Sequence, residues 1–151
     1  MPTKIAATFD LATAPGHLLR RAQQRAVELF AAEVGPHGPT PPQFALLAAL
    51  QRYPGSSQIA LVQEIGIDRS TLAEMVRRLA QRGWIRRRRT PSDGRENALY
   101  LSAEGATVLA EAIPAARRVQ ARILSPIPAA RRKAAVALLL LLAEYPKNTQ
   151  A

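Results

Sequence analysis

Residues 57–101 read SQIALVQEIGIDRSTLAEMVRRLAQRGWIRRRRTPSDGRENALYL, and this stretch decides the fold. Ser57 can cap a short helix in which Leu61, Val62 and Ile65 are apolar. Gly66-Ile67-Asp68 is a tight turn: Gly66 suits the left-handed conformation that ends a helix, and Asp68 or Ser70 can cap the next. In that second helix Leu72, Val76 and Leu79 recur at spacings of four and three. They face inward, leaving Arg69, Ser70, Ala73, Glu74, Arg77 and Gln81 outward. Two short helices joined by a turn containing glycine match the helix-turn-helix pattern. Gly83 stops the second helix. Trp84–Arg89 then predicts a strand with alternate residues buried, so that Arg86 and Arg88 share one face and Arg87 and Arg89 the other. Thr90–Asn97 holds the turn residues Pro91 and Asp93-Gly94. Ala98-Leu99-Tyr100-Leu101 returns as a second strand, giving a hairpin with a long basic tip, and Trp84 is expected to pack beneath it.

Outward from this centre the pattern is helical. Leu18, Ala22, Ala26, Leu29 and Phe30 mark an amphipathic helix over Gly16–Val34, ended by Gly35-Pro36-His37-Gly38-Pro39. Thr40-Pro41-Pro42-Gln43 looks like a helix start, with Thr40 as cap, Pro41 in the first turn and Gln43 three residues after the cap. Phe44, Leu47 and Leu50 form its apolar stripe, and Tyr53-Pro54-Gly55 closes it. Beyond the hairpin, Ser102 caps a helix in which Val108, Leu109, Ala112 and Ile113 are apolar. Pro114 is expected to kink or interrupt that helix. A final helix runs from about Pro128 to Glu144 and is apolar on every face over Val136–Ala143. Such a helix must be buried all round, which points to a second copy packing on the chain ends. The expected architecture is mainly α with a small β-hairpin wing. Residues 1–39 form an N-terminal dimerisation segment, 40–101 a winged helix-turn-helix, and 102–151 the C-terminal dimerisation helices.

Composition narrows the chemistry. The chain has 151 residues, 48% of them hydrophobic, and carries 21 Lys+Arg against 11 Asp+Glu, a net charge of +10. It can bury a core, and the excess charge suits a polyanion. With no cysteine and only His17 and His37, disulfides, thiolate metal sites and an all-His cluster within one chain are excluded. No Ser–His–Asp set, Gly-rich phosphate loop or paired carboxylates argues for catalysis. Nothing asks for a cofactor or metal. The apolar run Ala134–Ala143 is half of the roughly 20 residues a membrane span needs, and residues 1–10 lack a secretory h-region. The expectation is a cytoplasmic protein with no membrane partner.

Between Arg69 and Arg95 nine arginines face only Glu74 and Asp93, a net +7 within 27 residues. A charge run is often only a solvated face. Here it coincides with a helix-turn-helix and hairpin, which favours double-stranded DNA. RNA readers need more exposed aromatics than Trp84 and Tyr100, and a membrane-surface helix would oppose its basic face to an apolar stripe.

Ser70-Thr71-Leu72, Met75-Val76, Leu79, Arg82-Gly83-Trp84-Ile85, Asp93-Gly94-Arg95 and Leu101-Ser102-Ala103-Glu104-Gly105 together resemble the winged-helix signature of the MarR family of bacterial transcription regulators. The resemblance covers the whole chain. It implies a homodimer built from the terminal helices, recognition helices in successive major grooves, and wings reaching into the flanking minor grooves. One departure is Arg77-Arg78, where an acidic residue followed by Arg is common in the family.

The expected DNA-binding residues are Arg69, Ser70, Thr71, Glu74, Arg77, Arg78, Arg86, Arg88 and Arg95. Serine and threonine at a helix start can meet phosphate or base edges, and arginine pairs with guanine. Ser70 has the plainer reading of an N-cap, and Glu74 that of a brace for Arg77 or Arg78. The resemblance implies that Arg95 enters the minor groove, with Asp93 orienting it or shaping the turn. Family members often bind a small anionic or aromatic effector between dimer helices and winged domain. His17, Arg20, Arg21, Arg25 and Phe44 are the candidates here, and an aromatic acid or its coenzyme A thioester would suit three neighbouring arginines. The same arginines could instead pair with Glu28, Glu33 or the partner subunit, and His17 could be a capping residue. The function so implied is a repressor released from a pseudo-palindromic operator by such a compound. A ligand-independent architectural DNA-binding protein is the alternative.

Overall fold

The computed structural model describes residues 7–89 and 97–144. Six helices and one hairpin follow in the order α1 (Pro15–Val34), α2 (Pro41–Arg52), α3 (Gln58–Ile65), α4 (Arg69–Gln81), β1 (Ile85–Arg89), β2 (Asn97–Leu101), α5 (Ala103–Leu124) and α6 (Ala129–Ala143).

Local chemistry sets the boundaries. Pro15 opens α1, and Gln43 Oε1 accepts the Thr40 N–H at 3.0 Å at the head of α2. Ser57 Oγ accepts from Ala60 N at 3.2 Å to start α3, and Gly66 ends it in the left-handed region at φ 71°. Gly105, in the first turn of α5, packs so closely on the Trp84 carbonyl that a Cβ there would lie 2.0 Å from its oxygen. That approach locks α5 onto the start of the wing, and Ser102 N donates to the same carbonyl at 3.1 Å.

The main core lies under the helix-turn-helix. Leu46, Leu47, Leu50, Leu61, Leu72, Val76, Leu79, Leu99 and Leu109 bury their side chains almost completely, with Trp84 and Ile85 closing the side beneath the hairpin. Leu46 joins Leu47 and Leu50 in facing the core from α2. A second cluster of Leu29, Phe30, Ala116 and Val119 holds α1 to α5. Glu33 reinforces it, accepting from Arg118 Nε and Arg122 Nη1 at 2.9 Å each.

The hairpin is antiparallel, pairing Ile85 with Leu101, Arg87 with Leu99 and Arg89 with Asn97. β2 also has a partner on its other edge: Leu99 N donates to Ser56 O at 3.0 Å, and Gly55 N donates to Leu99 O at 2.9 Å. The α2–α3 connection is thus stitched to the wing.

Three expectations need correction. β1 does not bury alternate residues: Ile85 is buried and Arg86–Arg89 are all exposed, while Leu99 and Ala98, paired with Arg87 and Arg88, are buried, so β2 makes the hairpin's contact with the core and β1 is its outer edge. Pro114 does not interrupt its helix, since α5 continues through it. Pro114 and Ala110 both lie on the exposed side, so the carbonyl that loses its helical partner can turn to water. In α1 only Leu29 and Phe30 are buried, and Leu18 stays 46% exposed: the stripe outruns the part of α5 it can pack against.

Candidate nucleic-acid interface

α4 is the recognition element of a helix-turn-helix, and Asp68 is its cap. Asp68 Oδ1 accepts from Thr71 N at 2.9 Å and from Ser70 Oγ at 2.7 Å, while Oδ2 accepts from Thr71 Oγ1 at 2.6 Å. The Thr71 hydroxyl, then the Ser70 hydroxyl, hold this carboxyl well below the usual carboxylate range. Ser70 is therefore not the cap. Both hydroxyls spend their protons on Asp68, so they meet a ligand through oxygen lone pairs. Donating a proton to any other acceptor would require leaving Asp68.

Leu72, Met75, Val76 and Leu79 anchor the inner face of α4. Arg69, Ser70, Thr71, Arg77 and Arg78 are exposed on the rest, with Glu74 half-buried between them. Glu74 Oε2 accepts from Arg77 Nε at 2.8 Å, and its Oε1 accepts from Arg77 Nη2 at 2.6 Å and Arg78 Nε at 2.8 Å. Arg77 first, and then Arg78, pull the Glu74 carboxyl down to about 2, and Glu74 in turn raises the Arg77 guanidinium. The carboxylate absent from position 77 thus has a counterpart one turn earlier. Thr40, Pro42 and Gln43 from the head of α2 form the opposite wall of a groove with Ser70, Thr71, Glu74, Met75 and Arg78.

The register puts Arg86 and Arg88 on the hairpin face that carries Tyr100, and the Arg88 guanidinium lies 5.6 Å from that ring. Arg95 and Asp93, the expected wing tip and its support, lie outside the described residues.

Arg82, one of the nine arginines of the run, packs against the protein itself. At the end of α4 its guanidinium stacks 3.7 Å above the Trp84 ring, and its Nη2 approaches the His37 carbonyl at 3.5 Å. It ties α4 to the α1–α2 connection. Trp84 itself is buried beneath the wing, as its sequence position implies.

The five effector candidates do not converge within one chain. Arg21 and Arg25 border an open depression on α1 together with Leu18, Ala22, Gln24 and Glu28. Arg20 Nη2 lies 3.5 Å from His17 Nδ1. Phe44 sits apart, edge-on to Phe30 at 5.7 Å between the two apolar clusters. Glu33 pairs with Arg118 and Arg122 of α5 rather than with arginines of α1. Among the described residues no three His, Asp or Glu could hold a metal ion, and no helix is long and apolar enough to cross a membrane.

A capped recognition helix and a basic two-stranded wing on a shared leucine core define a winged-helix DNA-binding protein. Residues 40–97 match the MarR family. The PcaV transcriptional regulator of Streptomyces coelicolor, solved with its natural ligand, is 38% identical and superposes with a TM-score of 0.86 over 92% of this chain and 98% of its own. The transcriptional repressor CouR on a 23-mer DNA duplex is 33% identical, with a TM-score of 0.81 over 91% of this chain and 99% of its own. CouR has also been solved with p-coumaroyl-CoA. The repressor NicR of Pseudomonas putida is 31% identical over 140 residues, 93% of this chain and 89% of NicR. The chain belongs to the MarR family of winged-helix transcription regulators.

Proposed function

We propose that this chain is a dimeric repressor that leaves its operator when a small aromatic acid or its coenzyme A thioester binds. The observation that carries the DNA half is the exposed row Ser70, Thr71, Glu74, Arg77 and Arg78 on a capped, core-anchored helix beside an arginine-rich strand. Arg69, Arg86 and Arg88 extend it along the phosphates, and Arg95, with Asp93, is assigned to the wing tip. Residues 1–39 and 102–151 are assigned to the dimer, because Leu138–Leu142 and Leu18 are exposed on the single chain. Two such subunits would read half-sites about 10 bp, roughly 34–36 Å, apart. With about four phosphates neutralised per subunit, the log–log salt slope is near −7.

The effector half rests on the basic surface of α1 and on the likeness to CouR, whose complex with p-coumaroyl-CoA gives the ligand class. Because Arg21 and Arg25 line an open face while Phe44 lies elsewhere, the reading has the second subunit complete the site around His17, Arg20, Arg21 and Arg25.

The test is a titration of the protein against its own upstream DNA with random competitor and varied salt, repeated with p-coumaroyl-CoA and a panel of aromatic acids. Competitor-resistant binding that one compound abolishes is expected. Binding no tighter than to random duplex overturns the operator reading and leaves an architectural DNA-binding protein. Operator binding that no compound disturbs overturns the effector half alone.

A further inference from the structure

Successive residues of a helix turn by about 100°. Arg77 therefore stands at the middle of the exposed face of α4 with Ser70 and Gln81, while Arg78 stands on its flank near Thr71. Glu74 lies between the two arginines and one turn earlier. It takes the whole Nε–Nη2 edge of Arg77 and the Nε corner of Arg78, drawing the flanking guanidinium toward the middle.

The donors left over are informative. A guanidinium has five N–H groups. Arg77 keeps both on Nη1 and the outer one on Nη2; Arg78 keeps all four on its two terminal nitrogens. In each case the free edge is the forked end, the geometry that meets guanine O6 and N7. The clamp also fixes two long side chains before DNA arrives, which lowers the ordering cost of binding. It leaves one net positive charge on this turn instead of two, weakening attraction to phosphate irrespective of sequence. The three side chains are 44–65% exposed, where ion pairs add little to folding. What the cluster presents matters more than what it stabilises.

We propose that Glu74 is a specificity-determining positioning residue: it holds the Nε edges of Arg77 and Arg78 so that their forked ends select guanine in the major groove instead of settling on phosphates. This rests on the DNA-binding reading above and adds the base chosen under the middle of the recognition helix.

Selection from a pool of random duplexes, run in parallel for wild type, Glu74→Gln and Arg77→Lys, tests it. Salt titrations on the selected and on a random duplex complete the experiment. Wild type is expected to enrich guanine under the middle of α4 in each half-site. Glu74→Gln should lose that preference, bind random duplex several-fold tighter and steepen the salt slope by about 2, one further phosphate per subunit. Bases beneath the wing should be unchanged. Arg77→Lys keeps the charge without the fork, so it should lose guanine at the same position with the salt slope intact. A Glu74→Gln consensus and slope equal to wild type overturn the proposal and spare the DNA-binding reading. A wild-type protein that enriches no sequence overturns both.

Discussion

Asp68 sets where the recognition helix begins, and it does so with hydrogen bonds that are also a pH device. Its folded pKa is depressed, by Thr71 first and Ser70 next. The stabilisation is therefore fully present above the unfolded aspartate value of about 3.9 and fades as pH falls through the lower folded value. Asp68→Ala is expected to lower the melting temperature by about 2–4 °C at pH 7. That gap should narrow steadily below pH 4; thermal melts of both proteins from pH 7 to pH 2 check it, and a gap constant across the series counts against the cap. Glu74 follows the same sign with a folded value of about 2, so the clamp on Arg77 and Arg78 stays ionised throughout the range in which DNA binding is measured. The sequence leaves Asp68 and Ser70 as equal candidates for the cap, since either residue type at a turn can accept an amide. Only the geometry separates them, by making Ser70 a donor to Asp68.

At the scale of elements the helices were legible because the 3.6-residue period is written in leucines, and the turn because Gly66 and Asp68 sit where a chain reversal needs them. Two local rules met tertiary surroundings that changed their outcome. Alternation in β1 presumes that this strand meets the core, but beyond Ile85 it is β2, through Ala98 and Leu99, that does so. The edge pairing of Ser56 with Leu99 carries no pattern at all, being a single bridge. A mid-helix proline should break a helix in isolation, yet α5 is held on both sides of Pro114, by Leu109, Ala112, Ala115, Ala116 and Val119 in the core. The helix then bears the lost hydrogen bond as a cost on its solvent side. Pro114→Ala is expected to raise stability by about 1–3 kcal/mol, read as a higher denaturant midpoint. A lower midpoint would mean that the packing of α5 depends on the backbone geometry that the proline fixes.

For the whole molecule the decisive fact is that α6 buries none of its residues within its own chain, although Val136 and Leu138–Leu142 are 41–69% exposed. Scattered apolar residues on a surface need no explanation, but five consecutive leucines on one helix form a patch that water disfavours. α1 adds Leu18, Leu19 and Val27, each more than 40% exposed, and the cluster of Leu29 and Phe30 with Ala116 and Val119 holds α1 to α5, the helix that leads into α6. A second copy of the chain would bring an identical patch, and a two-fold arrangement would bury both at once. Leu138 and Leu141 are the test, being 62% and 69% exposed and one turn apart. Burying a leucine contributes about 1.5–3 kcal/mol, so the double substitution Leu138→Glu/Leu141→Glu, which removes four leucines per dimer and adds four repelling carboxylates, is expected to yield monomers at micromolar concentration. Sedimentation equilibrium reads that directly. The same variant should keep the wild-type helical circular dichroism, because the core under α4 does not include α6. It should also lose most of its affinity for a two-half-site duplex while keeping the weaker binding of one winged helix to one half-site. A variant that still sediments as a dimer removes α6 from the interface and returns the question to α1.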